Sequence, residues 1–172
     1  MEAVGRFDVG RMVGILAESD TAYLESDRIT GLGLRSRLLA DLADAVAPGS
    51  SPSLLAIFAL EGFREYEELN GVLEARKLLR SLATRLARAL DGLGSCYRPR
   101  GDEFAALIDQ PASVASVLEI SVAALTEHDR YCPVAAVAGY SLVPSEASDP
   151  IEALALADRR LSANAPRRMP RR

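Results

Sequence analysis

The stretch Leu54-Leu55-Ala56-Ile57-Phe58-Ala59-Leu60 constrains this chain more than any other. It is continuously apolar, without the alternation that would leave one face of a strand wet. Pro48-Gly49-Ser50-Ser51-Pro52 breaks the chain ahead of it, and the charged Glu61-Gly62-Phe63-Arg64 follows. A short run bounded in this way fits a strand buried on both faces. Such a strand belongs in the interior of a sheet that carries helices on both sides.

The rest of the chain supplies those helices. Leu34 to Val46 repeats Leu and Ala at helical spacing, and Leu73 to Leu90 places Leu78, Leu79, Leu82, Leu86 and Leu90 on one stripe. Asp91-Gly92-Leu93-Gly94 ends the second of these. Val114 to Leu125 and Ile151 to Ala163 read as further core helices, about Val9 to Leu24 as an N-terminal one, and Phe63 to Asn70 as a short helix or loop. Ser95 to Arg98 and Glu103 to Ile108 read as strands joined by a tight hairpin at Pro99-Arg100-Gly101-Asp102. Val134 to Tyr140 is another inner strand. Helices that interleave with buried strands predict an α/β (α+β) layer fold with a mixed sheet.

At 172 residues and 49% hydrophobic, the chain suits one domain with a sizeable core. We expect three segments: an N-terminal helical segment over 1–26, a domain over 27–165 and a basic, disordered tail over 166–172. No apolar run approaches the ~18 residues that span a bilayer. MVGIL near the start is flanked by acids on both sides, so it makes a poor signal peptide, and a cytoplasmic location is expected. The net charge is −4, and the last seven residues hold four Arg and no acid, so the body alone is at −8. A body that acidic argues against nucleic acid as a partner, and no membrane partner is expected. Cys96 and Cys132 form no C-x-x-C pair and read as reduced, buried thiols. Together with the lone His128 they are too few soft ligands for a zinc site.

Chemistry concentrates at Arg100-Gly101-Asp102-Glu103-Phe104. Adjacent acids on a turn cost stability unless they are solvated or neutralised. Beside a glycine they can hold a divalent cation and let a phosphate approach bare backbone. Alone the pentapeptide is weak, since turns are rich in Gly and Asp.

Its surroundings strengthen it. Asp27-Arg28-Ile29-Thr30-Gly31-Leu32 followed by Arg35 is similar to D-x-L-T-G-L-x-N-R, with Leu34 in place of Asn. Glu61-Gly62-Phe63-Arg64 after an apolar strand is similar to D-x-D-x-F-K, and Arg98 to Phe104 to R-x-G-G-D-E-F. Gly139 with Pro144, and Ala157-Asp158 with Leu161, continue the series in order. From about Asp27 to Asn164 the chain resembles the GGDEF domain family, the diguanylate cyclases.

The resemblance implies a nucleotide-cyclase palm with a central sheet of about five strands. It also implies that two GTP molecules, on two facing domains, condense to cyclic di-GMP with Mg²⁺ or Mn²⁺ holding the phosphates. Several positions depart from that pattern. The strand Asp that ligates metal falls on Ala59, which leaves the backbone carbonyl of Leu60 and the carboxylates of Glu61 and Asp102 as the metal donors an active enzyme would use. The guanine-reading Asn falls on Glu67 and its assisting Asp on Arg76. The first signature Gly is Arg100, where a side chain would crowd the substrate and where a hairpin turn can demand positive φ. The phosphate-binding Lys falls on Ala165, and the product-inhibition R-x-x-D falls on Asp91 and Gly94 and is absent.

Asp102 and Glu103 thus remain as the remnant catalytic pair, with Arg100, Gly101, Glu67 and Arg76 as the nucleotide-facing positions. The reading is a degenerate, non-catalytic signalling module that needs no cofactor, with GTP or cyclic di-GMP, a second copy, or a signalling protein as partner. The alternative is a divergent active cyclase in which Glu61 replaces the strand Asp.

Overall fold

The computed structural model describes residues 26–129 and 131–165. The expected N-terminal helix and basic tail lie outside them. In chain order the elements are α1 (Arg35–Ala45), β1 (Ser53–Glu61), α2 (Phe63–Asn70), α3 (Val72–Ala89), β2 (Gly94–Arg100), β3 (Glu103–Asp109), α4 (Val114–Ala124), β4 (Ala135–Val143) and α5 (Pro150–Asn164).

Local chemistry sets several of these boundaries. The Asp149 carboxylate accepts from the N–H groups of Ile151 and Glu152, and Pro150, which has no N–H to lose, opens α5. The Ser113 hydroxyl caps α4 in the same way through Ser116. The charged segment after β1, which left helix and loop open in the sequence, forms α2 and buries Phe63.

The four strands form one sheet in the order β2-β3-β1-β4. Every neighbouring pair is antiparallel. This corrects two expectations, since among the described residues the sheet has four strands rather than about five, and it is not mixed. The helical connection from β1 to β2 does join strands that run the same way, as does the one from β3 to β4. In each case a strand of opposite direction lies between them, so no parallel ladder forms among the described strands. The plan is that of a split βαβ unit. An isolated parallel bridge, Gly33 to Tyr97, touches the free edge of β2.

As its sequence requires, β1 is interior and covered on both faces. Leu54, Ala56, Phe58 and Leu60 join one apolar cluster with α3 residues such as Leu78, Leu82 and Leu86. Leu55 packs on the other side with Leu38 and Leu42 of α1 and Ala153 and Ala157 of α5. Each fully buried Leu or Phe contributes on the order of 2 kcal/mol. Helix α5 lies so close to β4 that a Cβ on Gly139 would stand 2.1 Å from the Ala157 carbonyl oxygen. Only a glycine allows that approach.

Candidate functional site

The chemistry-bearing hairpin is shaped by two backbone features. The β2–β3 register slips between Tyr97 and Arg100. Pro99 stands in that slip, and with no N–H to offer the ladder it suits a bulge. Pairing resumes at Arg100 opposite Glu103. The turn is therefore only Gly101 and Asp102, tighter than the four residues the sequence suggested. The positive φ falls on Gly101 (39°) and not on Arg100, which ends β2 in extended backbone.

The bulge turns Arg98 inward, where it is 8% exposed. Its Nε and Nη2 donate to the Gly101 carbonyl at 2.9 and 2.6 Å, and its Nη1 donates to Asp27 Oδ2 at 3.0 Å. The same Asp27 oxygen accepts from the Thr30 N–H at 2.8 Å and the Thr30 hydroxyl at 2.6 Å. Burial disfavours the Asp27 charge, but the hydrogen bonds from Thr30 and Arg98 outweigh it and hold the carboxyl below the usual carboxylate range. One guanidinium thus ties the opening turn of the domain to the hairpin tip.

Arg100 points the other way. Its Nε and Nη2 grip Glu103 Oε2 and Oε1 at 2.9 and 2.8 Å, a two-pronged ion pair. Glu103 pairs in register with Ala59 on β1, so hydrocarbon stands across from that carboxylate. One residue on, the Leu60 N–H donates to the Asp102 carbonyl at 3.1 Å, which pins the turn to the end of β1. Glu61 ends β1 opposite Ala135 of β4.

A cleft of about 410 Å³ opens on the α2–α3 side of the hairpin. Phe63, Val72, Ala75, Leu79 and Ile29 give it apolar walls, and Arg64, Glu67, Arg76, Arg98, Gly101 and Asp102 give it polar ones. Of the site residues expected from sequence, the fold brings Glu67, Arg76, Gly101 and Asp102 together here. Arg100 and Glu103 instead border a cavity of about 400 Å³ on the other side of the sheet, with Arg35, Asp158 and the α5 residues Ile151, Leu154 and Leu161. The signature is thereby divided between two sides of the sheet.

These observations meet the comparisons with known proteins. The family described as "Diguanylate cyclase, GGDEF domain" matches residues 24–169. The chain belongs to the GGDEF family. A sensory box/GGDEF family protein from Caulobacter crescentus is 27% identical, over 81% of this chain and 97% of that one, with a TM-score of 0.69. Two further structures share the fold at lower identity. The coiled coil and GGDEF domain of DgcB from Caulobacter crescentus, solved in complex with c-di-GMP, is 22% identical over 91% of this chain and 87% of that one (TM-score 0.74). Diguanylate cyclase SiaD from Pseudomonas aeruginosa, solved in complex with its activator SiaC, is 21% identical over 91% and 65% (TM-score 0.72). No curated protein matches the sequence.

Within this GGDEF domain the carboxylates of the signature have different surroundings. Asp102 is exposed on the turn, Glu103 is held by Arg100, and Ala59 offers only a methyl group. Among the described residues no cluster of three or more His, Cys, Asp or Glu is placed to hold a metal ion. Asp102 and Glu103 thus border different sides of the sheet, with no carboxylate at position 59 between them.

Sequence reasoning gave Arg98 a place in the signature but no task, and it missed Ile29 and Arg64 as cleft walls. A proline directly after an arginine in a strand is the one signal for the inward bulge. Of the two thiols expected to be buried, Cys132 is buried and Cys96 is half-buried; burial pushes the Cys96 thiol up to about 11, well out of nucleophilic range at neutral pH. His128 is exposed. Among the described residues no helix is long and apolar enough to cross a membrane.

Proposed function

We propose that this GGDEF domain is a non-catalytic module of cyclic di-GMP signalling that keeps the fold and the ligand cleft but not the condensation chemistry. The observation that carries the reading is the register pair Ala59–Glu103, with Glu103 already gripped by Arg100. Phosphoryl transfer in this family rests on charge stabilisation at the transferring phosphate. A methyl group opposite a neutralised carboxylate supplies none. Each ~1.4 kcal/mol of lost transition-state stabilisation is tenfold in rate, and a charged ligand is worth several such steps.

The cleft supports the binding half of the proposal. Apolar walls with polar groups at the rim suit a planar base. A carboxylate at Glu67 accepts N–H groups and a guanidinium at Arg76 donates to ring acceptors, which exchanges the hydrogen-bond roles of the family's Asn and Asp. The partners consistent with this reading are GTP, cyclic di-GMP, a second copy, or a signalling protein that docks on the domain.

The deciding experiment is incubation of the full chain with GTP and Mg²⁺ or Mn²⁺, with chromatographic detection of product. The expected result is no cyclic di-GMP. Product that disappears in Asp102→Ala would establish the divergent-cyclase alternative and overturn the proposal. Calorimetric titration with GTP and with cyclic di-GMP then reads the binding half, and heat from neither leaves a protein partner as the function.

A further inference from the structure

The cavity between α1 and α5 has no part in the function proposed above. It encloses about 400 Å³ on the side of the sheet away from the cleft, and it shares no lining residue with that cleft. Ligand pockets run from about 300 to 1,000 Å³, so this one suits a small metabolite and not a dinucleotide. Part of its wall is apolar. Ile57 comes from β1, while Ile151, Leu154 and Leu161 recur at helical spacing along α5, and Ile151 is 62% exposed. The rest is charged. Arg35 comes from α1 and Asp158 from α5, and both are exposed. Among the described residues neither side chain has an ion pair or hydrogen bond. A cation in the first turn of a helix opposes the helix dipole, and that turn of α1 holds no acid to offset Arg35. Arg100 borders the same cavity, and its Nη1 is the guanidinium nitrogen that Glu103 leaves unused.

We infer that this cavity binds a free α-amino acid with an apolar side chain. The ligand's carboxylate meets the Arg35 guanidinium, its ammonium meets Asp158, and its side chain packs among Ile151, Leu154 and Leu161. Two unspent charges of opposite sign beside an apolar wall match such a zwitterion at both ends. An apolar acid without an amine would cover Asp158 and give it no donor. An apolar amine without an acid would cover Arg35 and give it no acceptor. Either would strip a charge of its hydration without replacement. The site uses none of the residues that face the cleft, so its failure would leave the nucleotide reading untouched, and the failure of that reading would leave this site.

The test is titration of the isotope-labelled full chain with L-leucine, L-valine and L-phenylalanine, followed through backbone amide shifts, with circular dichroism confirming that each variant folds. At least one of the three should give saturable shifts in the millimolar range at Ile57, Leu154 and Leu161, and none at Ala75 or Leu79 across the sheet. Arg35→Ala and Asp158→Asn should each weaken binding about tenfold, the loss of one charge-assisted contact. Ile151→Glu should weaken it by a similar factor, since it sets a carboxylate against the ligand's side chain. The N-acetyl derivative of the bound amino acid lacks the ammonium and its amide lacks the carboxylate, so each should bind about tenfold more weakly than the parent. In Asp158→Asn the parent and its N-acetyl derivative should bind alike, because the partner of the ammonium is gone. Glycine, with no apolar side chain, should not saturate over the same range. No saturable shift with any of the three amino acids would overturn the inference. So would shifts centred on the cleft, an N-acetyl derivative that binds wild type as tightly as its parent, or Arg35 and Asp158 variants that bind like wild type.

Discussion

Arg98 and Asp27 meet at 3.0 Å in a pair that is 9% and 16% exposed, although 71 positions separate them in the chain. The guanidinium that receives Asp27 also holds the Gly101 carbonyl twice. The turn that opens the domain and the turn that carries the acidic signature are therefore one mechanical unit.

Removing that guanidinium should be costly. Arg98→Ala leaves the half-buried Asp27 without its cation and the Gly101 carbonyl without its donors, and should destabilise the domain by about 2 kcal/mol. Arg98→Lys keeps the charge but loses the fork and should recover only part of this. Urea denaturation gives both values, and amide hydrogen exchange should accelerate at Gly101 and Asp102. Exchange at the tip that stays at the wild-type rate in Arg98→Ala would break the proposed mechanical link.

Acid should act through a second pair. The Arg160 guanidinium grips both Glu146 oxygens, at 2.7 and 2.8 Å, and with the Leu142 N–H it pulls the Glu146 carboxyl from an ordinary 4.5 down to about 2. A depressed carboxylate stabilises the fold fully above its unfolded value, and that stability is lost as pH falls through the folded one. Asp27 shifts in the same direction. The urea midpoint should hold steady above about pH 5 and fall between about 4.5 and 2. Glu146→Gln should lower the neutral-pH midpoint and remove part of the acid slope, and identical slopes in the two proteins would count against the pair.

Gly139→Ala tests the packing of α5 on β4. The new methyl would meet the Ala157 carbonyl oxygen at 2.1 Å and the Leu161 nitrogen at 2.4 Å, both backbone atoms that cannot step aside. A loss of about 3 kcal/mol is expected from overpacking of this kind. A thermal midpoint unchanged from wild type would mean that the helix stands farther from the sheet.

Restoring the cation donors should restore a cation. In the double variant A59D/R100G a carboxylate faces Glu103, and Glu103 is released from its arginine. Mn²⁺ affinity, read by paramagnetic relaxation of water protons, should rise at least tenfold over wild type. Equal affinity in the two proteins would show that ligands other than these govern the site.

Much of this was legible in the chain because it is local. The unbroken apolarity of Leu54 to Leu60 demands two covered faces, and β1 has them. The Leu spacing of α3 and the Gly-Asp turn of the hairpin likewise follow from short-range periodicity and backbone freedom. Strand count and direction were less accessible, because nothing within a strand says which other strand will lie beside it.

The sequence by itself determined the inner strand, the leucine-striped helix, the order of the signatures and the replacement of a strand carboxylate by Ala59, since each depends on residue type and spacing alone. Only the tertiary structure decided that Glu103 spends its charge on Arg100, that Asp102 and Glu103 open toward different sides of the sheet, and that Arg98 reaches Asp27. A side chain's partner is set by register, and one bulge at Pro99 is enough to choose between solvent, a neighbour three residues away and a carboxylate 71 residues away.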